Sequence, residues 1–382
     1  MTYLNRRIDL DSLLKNKSIL MLGPRSVGKT SLIDNELENI KVFDLLHADT
    51  YSSLLRQPSI LKETSDLLDS SQVIVIDEIQ KLPELLDEVH RILNTSDRKF
   101  LLTGSSARKL KRGGANLLAG RAWQAELFPL TYHEIPDFDI LKYLNRGGLP
   151  DIYQSEFPDE ELRAYVGTYL REEIQAESLT RNLPAFSRFL DTIAFANGLE
   201  INYESLASDC AVSTSTLKNY FEILEDTLLG FSLPAFKKTK IRKAISRSKH
   251  YLFDVGVCNE LSKRKNIIEG NELFGNAFEH FLVLEVRAWN SYSRSYHDLT
   301  YWRSTSKLEV DLIIGKQLAV EIKATKNVQP KHIKNLRALK EEGLIENFAI
   351  VANDPNERIT KEGIHIYHWK TFLEKLWANE LI

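Results

Sequence analysis

The segment GPRSVGKT, residues 23–30, constrains this chain more than any other stretch. It follows the apolar run Ile19–Leu22 and precedes a helical pattern that begins near Lys29, so it is a loop between a strand and a helix. Glycine at both ends allows a close backbone approach and φ values that other residues resist, and a loop of this kind wraps a phosphate chain with its N–H groups. Gly23, Pro24, Arg25, Ser26, Val27, Gly28, Lys29, Thr30 and Ser31 are therefore the candidates for binding a nucleotide. Lys29 is expected to reach the β- and γ-phosphates, and the Thr30 hydroxyl to hold Mg²⁺. The N-terminal end of the following helix adds positive potential to the same anion site.

A second stretch, VIVIDEIQ, supplies the acids such a site needs. Its apolar residues lead to Asp77 and Glu78 at the carboxyl end of a strand, where ligands sit in open parallel sheets. Asp77 is expected to hold Mg²⁺, and Glu78 to orient or deprotonate the water that attacks the γ-phosphate. FLLTGSS ends a further apolar strand with Thr103 and Ser105, a position suited to a hydroxyl that senses the γ-phosphate or the attacking water. Arg121, in LLAGRAW, is placed either to neutralise transition-state charge, in its own subunit or a neighbour's, or to form an ion pair.

At 382 residues the chain is long enough for two or three domains. With 43% hydrophobic and 27% charged residues and a formal charge of −3, it has a globular composition without global attraction to nucleic acid. Cys210 and Cys258 are too few for a disulfide framework, which suits a reducing cytoplasm. No signal peptide or membrane-length apolar run is evident, so no membrane partner is expected.

Residues 1–135 alternate short apolar strands (Ser18–Leu22, Lys41–Leu45, Val73–Ile76 and Lys99–Thr103) with helical stretches, the pattern of a doubly wound α/β parallel sheet. Residues 136–250 are mostly helical, with YVGTYLREEIQAESL and PAFSRFLDTIAFANG both reading as helices. Residues 251–382 return to a mixed α/β pattern.

GPRSVGKT, IDEIQKLPEL, LTGSSA, LLAGR, GGLPDIY and YLREEI, in this order, resemble the AAA-type P-loop ATPases of bacteria and archaea that carry a C-terminal domain of unknown function. The resemblance spans essentially the whole chain and implies ATP, rather than GTP, as the nucleotide. Carried over residue by residue, the family's Walker A lysine and hydroxyl fall on Lys29 and Thr30, and its Walker B acids on Asp77 and Glu78.

In the middle region INYESLASDCAVSTSTLKNYFEILEDTLL has the layout of a helix-turn-helix in a winged-helix domain. Leu206, Ala207, Val212, Leu217, Tyr220 and Leu224 form its expected core, with Ser213 as the N-cap of the second helix. The stretch Lys237–His250 holds seven Lys or Arg and no acid, and is expected to form or flank a wing beside DNA phosphates. A packing module and a solvated basic face are the plainer alternatives. The partners expected are DNA and a second copy of the chain.

The last loaded stretch is LEVDLIIGKQLAVEIKAT. A hairpin through Gly315 brings Asp311 together with Glu321 and Lys323, because alternate residues of a strand share a face. Two carboxylates bind Mg²⁺ or Mn²⁺, and a nearby lysine activates water or stabilises charge on phosphorus. Glu279, on the preceding helical stretch, is expected to complete the metal shell. This D…E-x-K arrangement resembles the restriction-endonuclease-like nuclease fold, which leaves both an active nuclease and an inactive scaffold open; an ordinary surface ion pair is the alternative.

Overall fold

The computed structural model describes residues 2–106, 118, 120–169 and 182–382 and divides into two compact units. Unit 1 comprises residues 1–136, 149–154 and 222–229, and unit 2 the remainder.

Unit 1 is built on five parallel strands: β1 (Ser18–Leu22), β2 (Ile40–Asp44), β3 (Val73–Asp77), β4 (Phe100–Gly104) and β5 (Ala122–Glu126). Their order across the sheet is β2-β3-β4-β1-β5. All residues of β1 and β4 are buried, as parallel strands covered on both faces require. Helices such as Leu85–Thr95 cover this core, which gathers Leu20, Ile76, Leu86, Val89 and Leu102. The four strands expected from sequence lie within one residue of their observed bounds. Strand β5 went unread because it is an edge strand whose Trp123 and Gln124 are exposed, so its apolar signal is weak.

The order places β4 between β1 and β3. The phosphate loop leaves the end of β1, Asp77 ends β3, and Thr103 lies near the end of β4. Three neighbouring strands therefore deliver their chemistry to one edge of the sheet.

Unit 2 contains both the helical region and the C-terminal α/β region, read from sequence as separate parts. The helix expected over 165–179 is described only through Tyr165–Tyr169, a single π-helical turn; the rest lies outside the described residues. Helices Leu183–Phe195 and Tyr203–Asp209 follow, then Thr214–Asp226, whose residues from 222 onward belong to unit 1. Ser213 caps the last of these by accepting the Thr216 N–H at 3.1 Å. Leu206, Ala207, Leu217, Tyr220 and Leu224 are buried, whereas Val212 is only partly so.

Next come the antiparallel pair β6 (Gly230–Leu233) and β7 (Lys249–Leu252), then β8 (Leu299–Arg303), β9 (Glu309–Ile314), β10 (Leu318–Lys323), β11 (Asn347–Ala352), β12 (Arg358–Ile359) and β13 (His365–His368). The last six form a mixed sheet ordered β12-β13-β11-β10-β9-β8. Strands β9 and β10 make the expected hairpin, with Ile314 opposite Leu318 and Gly315 at φ 55° in the turn.

The segment between β6 and β7 is not a free wing. Phe236 N donates to Tyr301 O at 2.7 Å and Ile245 N to Arg303 O at 2.8 Å, which fastens the basic stretch along β8. Among the described residues no helix is long and apolar enough to cross a membrane.

Candidate functional site

Gly23 opens the phosphate loop beside β5, where a Cβ would come within 2.7 Å of the Leu127 carbonyl oxygen. Gly28 closes it at φ 92°, a left-handed conformation that favours glycine, and caps the Lys29–Glu36 helix. Lys29 is buried, and its ammonium donates to the Gly23 and Pro24 carbonyls at 2.8 and 3.2 Å. The lysine thus sits over the loop it belongs to.

Behind the loop runs a chain of polar groups. Thr30 Oγ1 donates to Asp77 Oδ2 at 3.1 Å, and Thr103 Oγ1 donates to Asp77 Oδ1. Thr103 also accepts the Glu78 N–H at 3.2 Å. Glu78 adopts φ 60°, strained for a non-glycine residue, and its carboxylate accepts from Gln80 Nε2, which also donates to Ser105 Oγ at 3.1 Å.

A cavity of about 540 Å³ opens over these groups. Arg25, Ser26, Gly28, Lys29, Thr30, Ser31 and Glu78 line it; Gly23, Pro24, Val27, Asp77 and Thr103 stand outside its lining as support. Thr103 is fully buried and committed to Asp77 and Glu78. Its hydroxyl thus bridges Asp77 and the Glu78 backbone and does not open to the cavity.

Arg121 does not join this site. It precedes β5, and the parallel register pairs Ala122 with Ser18, the first residue of β1. At roughly 3.3 Å per residue the loop end of the sheet is about 15 Å away. Arg121 is exposed and donates to Asn94 Oδ1 at 2.7 Å. Sheet polarity thus removes it from the phosphate site of its own subunit.

Sequence reading missed the residues that complete the cavity: Tyr3 and Arg6 ahead of the loop, and Leu130, Pro150 and Gln154 after it. Arg6 is buried, donates to Val27 O at 2.7 Å, pairs with Glu134 at 3.2 Å and also reaches Phe128 O. It ties the phosphate loop to the segment that follows β5. The GGLPDIY motif was the available signal for Pro150 and, just beyond it, Gln154, and IDEIQKLPEL was the signal for Gln80; nothing local marks Arg6.

In unit 2 the hairpin does gather Asp311, Glu321 and Lys323. The Lys323 ammonium lies 2.8 Å from Glu321 Oε1 and 3.6 Å from Asp311 Oδ2, which also accepts the Ile322 N–H at 2.7 Å. Asn335 donates to Glu321 Oε1 at 3.1 Å, leaving the buried Oε2 without a partner. Burial, reinforced by the Asp311 charge, pushes the Glu321 carboxyl up to about 8.

Glu279 behaves otherwise. It accepts from Tyr251 Oη at 2.8 Å and pairs with Lys249 at 3.3 Å, while Lys249 also pairs with Glu309 at 2.7 Å. Burial works against the Lys249 charge, but Tyr251, Glu279, Asp311 and Glu309 outweigh it and hold its pKa well above the usual lysine value. Among the described residues no three His, Cys, Asp or Glu side chains are placed to hold a metal ion together. The expectation that Glu279 completes a metal shell is therefore corrected: a lysine and a tyrosine engage its carboxylate.

The basic stretch is corrected as well. Lys249 and His250 are buried in β7 and cannot face DNA. Arg242 pairs with Glu341 and donates to Ala338 O at 2.9 Å, while Lys237, Lys238, Lys240, Lys243 and Arg247 stay exposed.

Residues 15–136 match the AAA domain family. With the parallel sheet and its phosphate loop, this match supports an AAA-type ATPase. Residues 137–267 and 274–372 match two families described as domains of unknown function, DUF8612 and DUF4143.

The chain is 29% identical over 334 residues to the uncharacterized protein MJ1544 of Methanocaldococcus jannaschii, covering 74% of this chain and 69% of that one. It is 23% identical over 353 residues to MJ1637 of the same organism, covering 74% and 71%. Among solved structures, it overlaps the Aeropyrum pernix Orc1 protein in complex with DNA at TM-score 0.27 and 12% identity, covering 66% of this chain and 90% of that one. The replication initiator DnaA bound to AMPPCP and single-stranded DNA overlaps at TM-score 0.30 and 11% identity, covering 56% and 86%. These overlaps are too slight to carry a functional argument.

Proposed function

We propose that this protein is a Mg²⁺-dependent ATP hydrolase whose nucleotide state acts on a DNA-facing winged-helix and nuclease-like part of the chain. The observation that carries the reading is the hydrogen-bonded chain from Thr30 through Asp77 and Thr103 to Glu78, set under Lys29 and the phosphate loop. Loop N–H groups and Lys29 would bind the triphosphate. The Thr30 hydroxyl and the Asp77 carboxylate, both hard oxygen donors side by side, fit Mg²⁺, which when bound neutralises phosphate charge. Glu78 would orient the attacking water and take its proton, and Gln80 holds that carboxylate in place. Functionally, residues 1–135 hold the ATPase, 136–250 the winged-helix-like part and 251–382 the nuclease-like part.

Phosphate release by purified variants tests the proposal. Lys29→Ala should lower turnover by about 10²–10³-fold or more, as loss of a positioned electrostatic donor does. Glu78→Gln should retain ATP binding and lower turnover by about 10²–10⁴-fold, the range of general base catalysis. Full activity in either variant removes that residue from its role.

The C-terminal cluster supports two readings. Asp311 and the unpartnered Glu321 Oε2 fit one divalent cation, the requirement for metal-dependent DNA cleavage with Lys323 beside the reacting phosphate. Compensation of these acids by Lys323, and of their neighbours by Lys249, favours an inactive scaffold serving a nucleotide-controlled switch. DNA cleavage with Mg²⁺ or Mn²⁺ that disappears in Asp311→Ala, with ATP hydrolysis intact, supports the first; no cleavage with either metal supports the second.

A further inference from the structure

We propose that unit 2 binds single-stranded nucleic acid in a cavity at the β8 edge of its six-stranded sheet, an inference that rests on the DNA-facing reading and gives it a location. The cavity measures about 790 Å³ and lies between the segment following β6 and the β9–β10 turn. Lys237 and Lys238 line it from the first and Lys316 from the second. All three side chains are exposed, and none forms an ion pair among the described residues. Cations from two chain segments around one opening match the charge of a phosphate backbone passing through it.

The same opening presents an aromatic ring. Tyr296 is 59% exposed and sits at φ 51°, a backbone conformation that is costly outside glycine. Its turn is pinned by Asn290, whose Nδ2 donates to His297 O at 2.9 Å and whose Oδ1 accepts the His297 N–H at 2.8 Å. The His297 ring in turn stacks on buried Trp289, centroids 6.0 Å apart. The Arg294 guanidinium lies over this ring, 5.1 Å from its centroid, and an exposed ring backed by a cation beside exposed lysines is the pairing of stacking platform and cationic groove that single strands recognise.

Two acids, Asp298 and Glu346, also line the cavity and limit its net charge. Carboxylates accept hydrogen bonds from exocyclic base amines, so they suit an unpaired base better than a bare phosphate.

Fluorescence anisotropy with a labelled fifteen-nucleotide oligo(dC), whose bases carry the exocyclic N4 amine, and the full chain tests the assignment. Replacing Lys237, Lys238 and Lys316 together by Gln should weaken binding at least about tenfold at low salt. It should also flatten the slope of log affinity against log salt by about 2, since each single-strand phosphate contact contributes roughly 0.7. Tyr296→Ala should cost about tenfold and Tyr296→Phe almost nothing, because stacking needs the ring and not the hydroxyl. ATP hydrolysis without nucleic acid should be unchanged in all of these variants.

Unaltered affinity in the triple variant, with loss in Lys240/Lys243/Arg247→Gln, overturns the cavity and leaves the DNA-facing reading standing. No binding by the wild-type chain at low salt overturns both.

Discussion

The phosphate-loop site and the C-terminal acid cluster both concentrate ionisable groups, and they neutralise them in opposite ways. In the first, Lys29 donates to two backbone carbonyls and Asp77 accepts from two hydroxyls, so neutral dipoles hold each charge. In the second, carboxylates meet ammonium groups directly: Glu321 meets Lys323, and Glu279 and Glu309 share Lys249. Dipoles orient a charged group without cancelling it, which leaves it able to act on a ligand. An ion pair in a low dielectric cancels the charge and makes each partner necessary to the other. The first site should therefore fail in activity when altered, and the second in stability.

The largest effect that could break this contrast is Lys249→Met. Removing the shared ammonium strands Glu279 and Glu309, and chemical denaturation should register a loss of about 3 kcal/mol, reduced from the fully buried limit because both acids keep some solvent contact. A variant as stable as the wild type would mean that the cluster is not held by its ion pairs.

Asp254 sharpens the comparison, as a buried acid of unit 2 held by backbone dipoles alone. It accepts the N–H groups of Val257 and Gly148 at 2.9 and 2.7 Å, yet burial still raises its carboxyl from 3.8 to about 6. Because the folded state holds this proton more tightly than the unfolded chain, the Asp254 contribution is lost as pH rises from about 4 to 6. The loss amounts to about 2–3 kcal/mol at 1.36 kcal/mol per pKa unit. Unfolding curves across that window should show this decline in the wild type and lack it in Asp254→Asn.

The smallest effect belongs to Thr103→Val. It deletes the hydroxyl that links Asp77 to the Glu78 N–H, and should lower ATP turnover about tenfold, near the size of one positioned hydrogen bond, with little change in nucleotide affinity. A change in affinity alone would return Thr103 to the direct phosphate contact read from sequence.

What was legible in the sequence was what is local. The phosphate loop, the Asp77-Glu78 strand end and the β9–β10 hairpin each announce themselves within about a dozen residues. Long-range partners gave no such signal: Arg6 reaches the loop from 21 residues away and Phe128 from 122. Arg121 misled because proximity in sequence to a strand does not say which end of the sheet a residue occupies. Lys249 misled because it closes a basic run whose earlier lysines are exposed, whereas β7 is buried at every position. Composition counts charges, and only the strand's place in the fold decides whether they meet solvent.

Glu342 brings one further consequence. This buried carboxylate takes the consecutive N–H groups of Lys240, Ile241 and Arg242 at 2.7, 2.8 and 3.0 Å, which hold its pKa low despite burial. A concave run of amides closes around it as around a bound anion, except that this anion belongs to the chain itself. One acid, a hundred residues downstream, thereby works as an internal ligand for the most cationic segment of the protein. Loss of that carboxylate would leave the sequence's count of positive charges untouched and the pattern they present to solvent undefined.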